Sequence, residues 1–108
     1  MNIHIVTKAL DLTPSLKKFI GEKVGATGRF LGSFEKEGAL DCFVEISRAT
    51  RHHKRGDVFY AEIMVRLPGK TVRAESTSVD ARIAITEARD VFKSEIMKYK
   101  EMAEKKRK

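Results

Sequence analysis

Over residues 2–8 the chain sets Ile3, Ile5 and Thr7 against His4 and Val6, a two-residue period that predicts a short strand. Residues 40–48 repeat the pattern, with Leu40, Cys42, Val44 and Ile46 opposite Asp41, Phe43, Glu45 and Ser47. Residues 58–67 are the most regular: Ala61, Ile63, Val65 and Leu67 oppose Tyr60, Glu62, Met64 and Arg66. Each of these two strands is expected to have one wet face. Pro68-Gly69-Lys70 then predicts a type II turn, after which residues 71–75 return as a fourth strand.

Two stretches carry a helical period instead. Thr13 supplies a hydroxyl N-cap and Pro14 a first helical residue that needs no N–H, and Leu16, Phe19, Ile20 and Val24 follow at helical spacing. Gly21, Gly25 and Gly28 each weaken that helix by about 1 kcal/mol relative to alanine. It therefore either packs closely against a neighbour there or ends between Gly25 and Gly28. Residues 79–108 form one long helix, with Ala81, Ile85, Ala88, Phe92, Ile96, Tyr99 and Ala103 in a single apolar stripe. Ser78 is its expected N-cap, and Asp80 favours the dipole in its first turn.

The order is β-α-β-β-β-α. It predicts an α+β fold, a four-stranded mixed sheet with both helices on one face, an arrangement like that of double-stranded-RNA-binding domains. The last helix, at ~27 residues, would measure about 40 Å. That exceeds the width of so small a domain, so its final turns project and residues 104–108 are expected to fray as a basic tail.

At 108 residues and 42% hydrophobic content the chain is a single domain over residues 1–108, able to bury one two-layer core. Cys42 is the sole cysteine, which excludes an intrachain disulfide and multi-cysteine zinc modules and suits a reducing, cytoplasmic setting. No apolar run approaches the ~20 residues of a membrane span. No paired carboxylates, phosphate loop, nucleophile motif or metal constellation is present, so neither an enzyme nor a cofactor nor a small-molecule substrate is expected.

Charge changes the picture. Residues 1–47 are neutral, whereas residues 48–108 hold sixteen Lys/Arg against nine Asp/Glu, the entire net +7. Arg82, Arg89, Lys93 and Lys100 stack in one line about a quarter-turn from the apolar stripe of the last helix, while Glu87, Asp90 and Glu101 fall on another flank. Sorting of this kind points to a polyanion-binding edge, the alternative being an ordinary solvated face. Arg48, Arg51, Lys54 and Arg55 share a polar loop without an acid among them, which favours an anionic partner or leaves the loop mobile. His52 and His53 lack ligand partners at metal spacing. Cys42 and His4 read as structural residues. Phe43 and Tyr60, on the polar phase of their strands, are expected to pair across strands rather than stack on bases.

In this order of elements the chain resembles the ribosome hibernation promoting factor / ribosome-associated inhibitor family, also described as sigma-54 modulation proteins. The resemblance rests on Asn2-Ile3-His4-Ile5, Leu12-Thr13-Pro14-Ser15-Leu16-Lys17 and Lys23-Val24 in the first half. In the second half it rests on Tyr60-Ala61-Glu62-Ile63, Leu67-Pro68-Gly69-Lys70, Val72-Arg73-Ala74-Glu75, Asp80, Ala84-Ile85 and Lys98-Tyr99-Lys100. It covers nearly the whole chain. It implies a cytoplasmic, non-enzymatic protein that binds the small ribosomal subunit between head and body. There it would cover messenger and transfer RNA sites and hold ribosomes inactive in stress or stationary phase. Basic side chains on both helices would face ribosomal RNA phosphates; Lys17, Lys23, Lys98 and Lys100 carry over by position, and Arg29 stands near a basic position of the family.

The chain also departs from the family pattern. Arg82 and Thr86 replace an apolar and an acidic residue, and Ala26, Val91 and Ser94 stand where the family has cations. Basic charge appears at Arg82, Arg89 and Lys93 instead, as if the phosphate-facing edge had rotated around the helix. The expected RNA contacts are therefore Lys17, Lys23, Arg82, Arg89, Lys93, Lys98 and Lys100, with Arg51, Lys54 and Arg55 from the loop. The protein is expected to be monomeric away from the ribosome, and ribosome dimerisation through the C-terminal domain that longer members of the family carry is not expected of it. The competing functions are a generic duplex-RNA-binding domain and a protein-interaction regulator.

Overall fold

The computed structural model describes residues 1–34, 40–50 and 56–106. Its elements are β1 (Asn2–Lys8), α1 (Pro14–Gly25), a 3₁₀ segment (Ala26–Phe34), β2 (Asp41–Thr50), β3 (Asp57–Leu67), β4 (Lys70–Ser78) and α2 (Ala81–Lys106). The strands form one sheet in the order β1-β2-β3-β4. β1 and β2 are parallel, as the intervening α1 crossover requires, and β2–β3 and β3–β4 are antiparallel. This is the mixed α+β sheet that the periodicities predict.

Register places Cys42, Val44 and Ile46 beside Val65, Ile63 and Ala61, and all six side chains are buried. Val72 and Ala74 of β4 continue the same face. Ile85, Ala88, Phe92 and Ile96 of α2 and Leu16, Ile20 and Val24 of α1 close over it, each buried. α2 lies over β3 and β4, and α1 lies toward β1. The predicted stripe of α2 is thus its core face, with Ala81, Tyr99 and Ala103 half-buried at its margins.

Local chemistry explains the boundaries. Thr13 Oγ1 accepts the N–H of Leu16 at 3.1 Å and Pro14 fills the first turn, so α1 starts where its cap stands. It ends at Gly25 rather than packing closely on its glycines, since a Cβ at Gly21 would meet open space. The Thr27 hydroxyl then donates to the Val24 carbonyl at 2.6 Å, and the chain tightens into the 3₁₀ segment that buries Leu31. At α2 the cap is Asp80 and not Ser78. Asp80 Oδ1 accepts the N–H groups of Arg82 and Ile83 at 2.8 and 3.1 Å, and its carbonyl takes the N–H of Ala84. A carboxylate one position before the first helical residue satisfies two free donors and suits the dipole, so it outcompetes the hydroxyl.

The hairpin Pro68-Gly69 has φ +78° at Gly69, the left-handed conformation that a type II turn demands. Tyr99 Oη donates to the Pro68 carbonyl at 2.8 Å and ties this turn to α2. β2 and β3 run further than expected: Arg48, Ala49 and Thr50 pair with Phe59, Val58 and Asp57, so Arg48 belongs to a strand and not to the polar loop. β4 likewise continues to Ser78. The molecule is a slab of 53 × 27 × 17 Å.

Candidate nucleic-acid interface

The line Arg82, Arg89, Lys93 along α2 faces the seam with α1 and the 3₁₀ segment. Two half-buried rings lie in that seam, Phe19 on α1 and Phe30 on the 3₁₀ segment. Lys23 Nζ stands 5.6 Å and Arg82 Cζ 5.1 Å from the centre of Phe19. Arg29 Cζ stands 4.8 Å and Lys93 Nζ 5.0 Å from the centre of Phe30. All four lie within the ~6 Å over which a ring face attracts a cation. Arg82 Nη2 also donates to Ser15 Oγ at 3.0 Å, a second tether to α1.

Among the described residues, no carboxylate pairs with Lys23, Arg29, Arg82 or Lys93. Cations elsewhere commonly have one: Lys8 with Glu45 at 3.0 Å, Arg73 with Glu62 at 3.6 Å, Lys98 with Glu95 at 3.4 Å. Arg89 sits between the two rings along α2, its side chain 25% exposed, with Nε buried 2.9 Å from Asp90 Oδ1. That approach lacks hydrogen-bond alignment, so Asp90 lowers the local charge without satisfying the donor. Lys100 continues the line, half-buried.

Other expected contacts lie elsewhere. Lys98 projects roughly 160° around α2 from Arg82 and is bound to Glu95. Lys17 is exposed, but on α1 it lies about 160° from Phe19, across the buried stripe from the seam. Arg51, Lys54 and Arg55 lie outside the described residues, as do His52 and His53. Phe19 and Phe30, which were not among the expected contacts, and Arg29, which the resemblance put only near a basic position of the family, complete the seam. The i, i+4 spacing of Phe19 and Lys23 was the one local signal for them.

The opposite, open face of the sheet has a different character. Glu45, Glu62 and Glu75 stand in one cross-strand row. Tyr60 Oη lies 2.6 Å from Glu62 Oε2 and 2.7 Å from Glu75 Oε2. Partial burial and these carboxylates push the phenol far above its ordinary range. Phe43 stacks on His4 with ring centres 5.0 Å apart, and His4 Nε2 lies 2.8 Å from Asp41 Oδ1. Both aromatic side chains are thus engaged within the sheet. Burial pushes the Cys42 thiol up to about 12. Among the described residues no group of His, Cys, Asp and Glu could hold a metal ion, and no helix is long and apolar enough to cross a membrane.

A mixed sheet backed by two helices, with a cationic seam between them, defines a small α+β domain. The chain belongs to the Sigma 54 modulation protein / S30EA ribosomal protein family, whose model matches residues 3–104. Its fold is similar to that of the Thermus thermophilus Protein Y N-terminal domain. The TM-score is 0.72 at 27% identity, over 92% of this chain and 99% of that one. It is also similar to a ribosomal subunit interface protein from Coxiella burnetii, with TM-score 0.65 and 18% identity over 93% of this chain and 98% of that one. Among curated proteins none shows significant similarity to the chain.

Proposed function

We propose that the protein binds the small ribosomal subunit in the channel between head and body, covers the messenger and transfer RNA sites, and inhibits translation during stress or stationary phase. The observation that carries this reading is the seam: Lys23, Arg29, Arg82 and Lys93 gathered from three elements without carboxylate partners. Family membership supplies the ribosome as the source of the polyanion. The protein acts without catalysis, in the cytoplasm, as a monomer when off the ribosome. Its affinity is mainly electrostatic, and its specificity comes from the fit of a rigid edge to a channel rather than from base readout.

A generic duplex-RNA binder is disfavoured by the start of α2. That module aims lysines from this helix end at phosphates, whereas here Thr77-Ser78-Val79-Asp80 presents a capping carboxylate.

Co-sedimentation with purified small subunits across a salt series, beside an isolated RNA duplex, tests the proposal. Four to six phosphate contacts give log K against log salt a slope of roughly −3 to −6. Saturable binding of that steepness, excluding transfer RNA, is expected. Equal affinity for the bare duplex, or no binding to either, overturns it.

A further inference from the structure

We infer that Phe19 and Phe30 are positioning residues that seat the cations of the seam as two phosphate-binding stations, and that Arg29 is a direct contact of the second. This rests on the reading that the two-helix edge binds RNA, and it assigns function to side chains that carry no charge.

Each ring touches one cation from its own element and one from α2. Phe19 holds Lys23 and Arg82, and Phe30 holds Arg29 and Lys93. Apolar packing alone would not require this: both rings are only half-buried, and each keeps a face toward two cations. A pair of like charges gathered at one ring repels, and with no carboxylate paired to either side chain among the described residues, the ring quadrupole is an attraction that offsets this. The arrangement leaves the cations together and short of anions. A phosphate between the members of each pair would supply what is missing.

The stations are spaced by α2, on which Arg82 and Lys93 are about 16 Å apart. Lysine and arginine heads otherwise sample many rotamers, and ordering them on binding opposes association. A ring that restrains them in the free protein removes part of that cost. Phe19 and Phe30 therefore raise affinity without adding a charge, and the salt slope should not register them.

The test measures binding to purified small subunits over a salt series for Phe19→Leu, Phe30→Leu, their combination, and Phe19→Tyr and Phe30→Tyr. Each leucine variant should bind roughly three- to fivefold more weakly, and the pair about tenfold or more, at an unchanged salt slope. The tyrosine variants, which retain the ring, should bind like the parent. In the Phe30→Leu background, Arg29→Ala should cost less affinity than in the parent.

Leucine variants that fold and bind like the parent overturn the inference. If Arg82→Glu with Lys93→Glu still abolishes binding in that case, the proposed function survives alone. If the double charge reversal has no effect either, the RNA surface is elsewhere and both fall. Should leucine variants fail to fold, NMR of the parent decides. Upfield ring-current shifts on the terminal methylenes of Lys23 and Lys93 support the seating, and their absence overturns it.

Discussion

Arg82 and Phe19 stand on different helices, yet the guanidinium carbon of one lies 5.1 Å from the ring centre of the other. The same guanidinium donates to Ser15 at the start of α1. A cation at the second position of α2 is thereby fixed relative to α1, and the charged line of one helix becomes the border of a two-helix seam.

The seam and the outer flank of α2 should differ in what they contribute to RNA binding. Arg82→Gln and Lys93→Gln should each lower the magnitude of the salt slope by about 0.7–0.9, the value for one phosphate contact. Lys98→Gln, which removes a side chain already paired with Glu95, should leave the slope unchanged. Arg82→Glu combined with Lys93→Glu should abolish binding while circular dichroism stays as in the parent. Sedimentation across salt measures all of these, and a slope change at Lys98 would move the surface to the far side of α2.

Helix caps should account for a measurable share of stability. Thr13→Ala and Asp80→Ala each remove a side-chain acceptor from a helix amino end, and each should cost about 1 kcal/mol. Ser78→Ala should cost less, because its hydroxyl accepts only a 3.4 Å contact from the Asp80 N–H. Urea denaturation with a common m-value discriminates the three.

Ala9 has φ +61°, a left-handed conformation held by a residue with a Cβ. Glycine adopts it freely, at some cost through its more disordered unfolded chain. Relief of the strain exceeds that cost, and Ala9→Gly should stabilise the protein by about 0.5–1 kcal/mol. A lowered denaturation midpoint would show that this turn is not strained.

The His4 hydrogen bond, and secondarily its charge, holds the Asp41 carboxyl below the usual carboxylate range. A carboxyl depressed on folding contributes stability above its unfolded value, and that contribution disappears as pH falls through the folded value. The stabilisation from this pair is therefore fully present above about pH 4, and only its loss falls in the region below. His4→Gln should raise the Asp41 value, read from its carboxyl carbon shift, and lower stability slightly at pH values above about 4 while leaving it unchanged where the carboxyl is protonated in both states. Both groups are exposed, so the contribution is small.

The sheet and α2 were legible in the sequence because each has a period that burial enforces: Val44, Ile63 and Val65 every second residue, Ile85, Ala88, Phe92 and Ile96 every third or fourth. The cationic line of α2 was legible for the same reason. The 3₁₀ segment was not, since Gly28 and Gly32 interrupt its apolar residues and nothing local announces a turn three residues wide. The rings beneath the cations were also missed. Phe30 and Lys93 meet only after the crossover helix and the hairpin have folded, so their pairing is a property of topology rather than of neighbouring residues. Ser78 was preferred to Asp80 as a cap because both fit the position, and backbone geometry alone separates them.

Cys42 faces the core from the middle of the sheet, fully buried. Thiol reagents should not reach it in the native state, so the parent protein offers a silent background for labelling. A single cysteine introduced at an exposed position beside the seam would take a fluorophore or spin label there and nowhere else. Distances from that label to labelled ribosomal RNA could then be measured one at a time, without first removing a native thiol from the core.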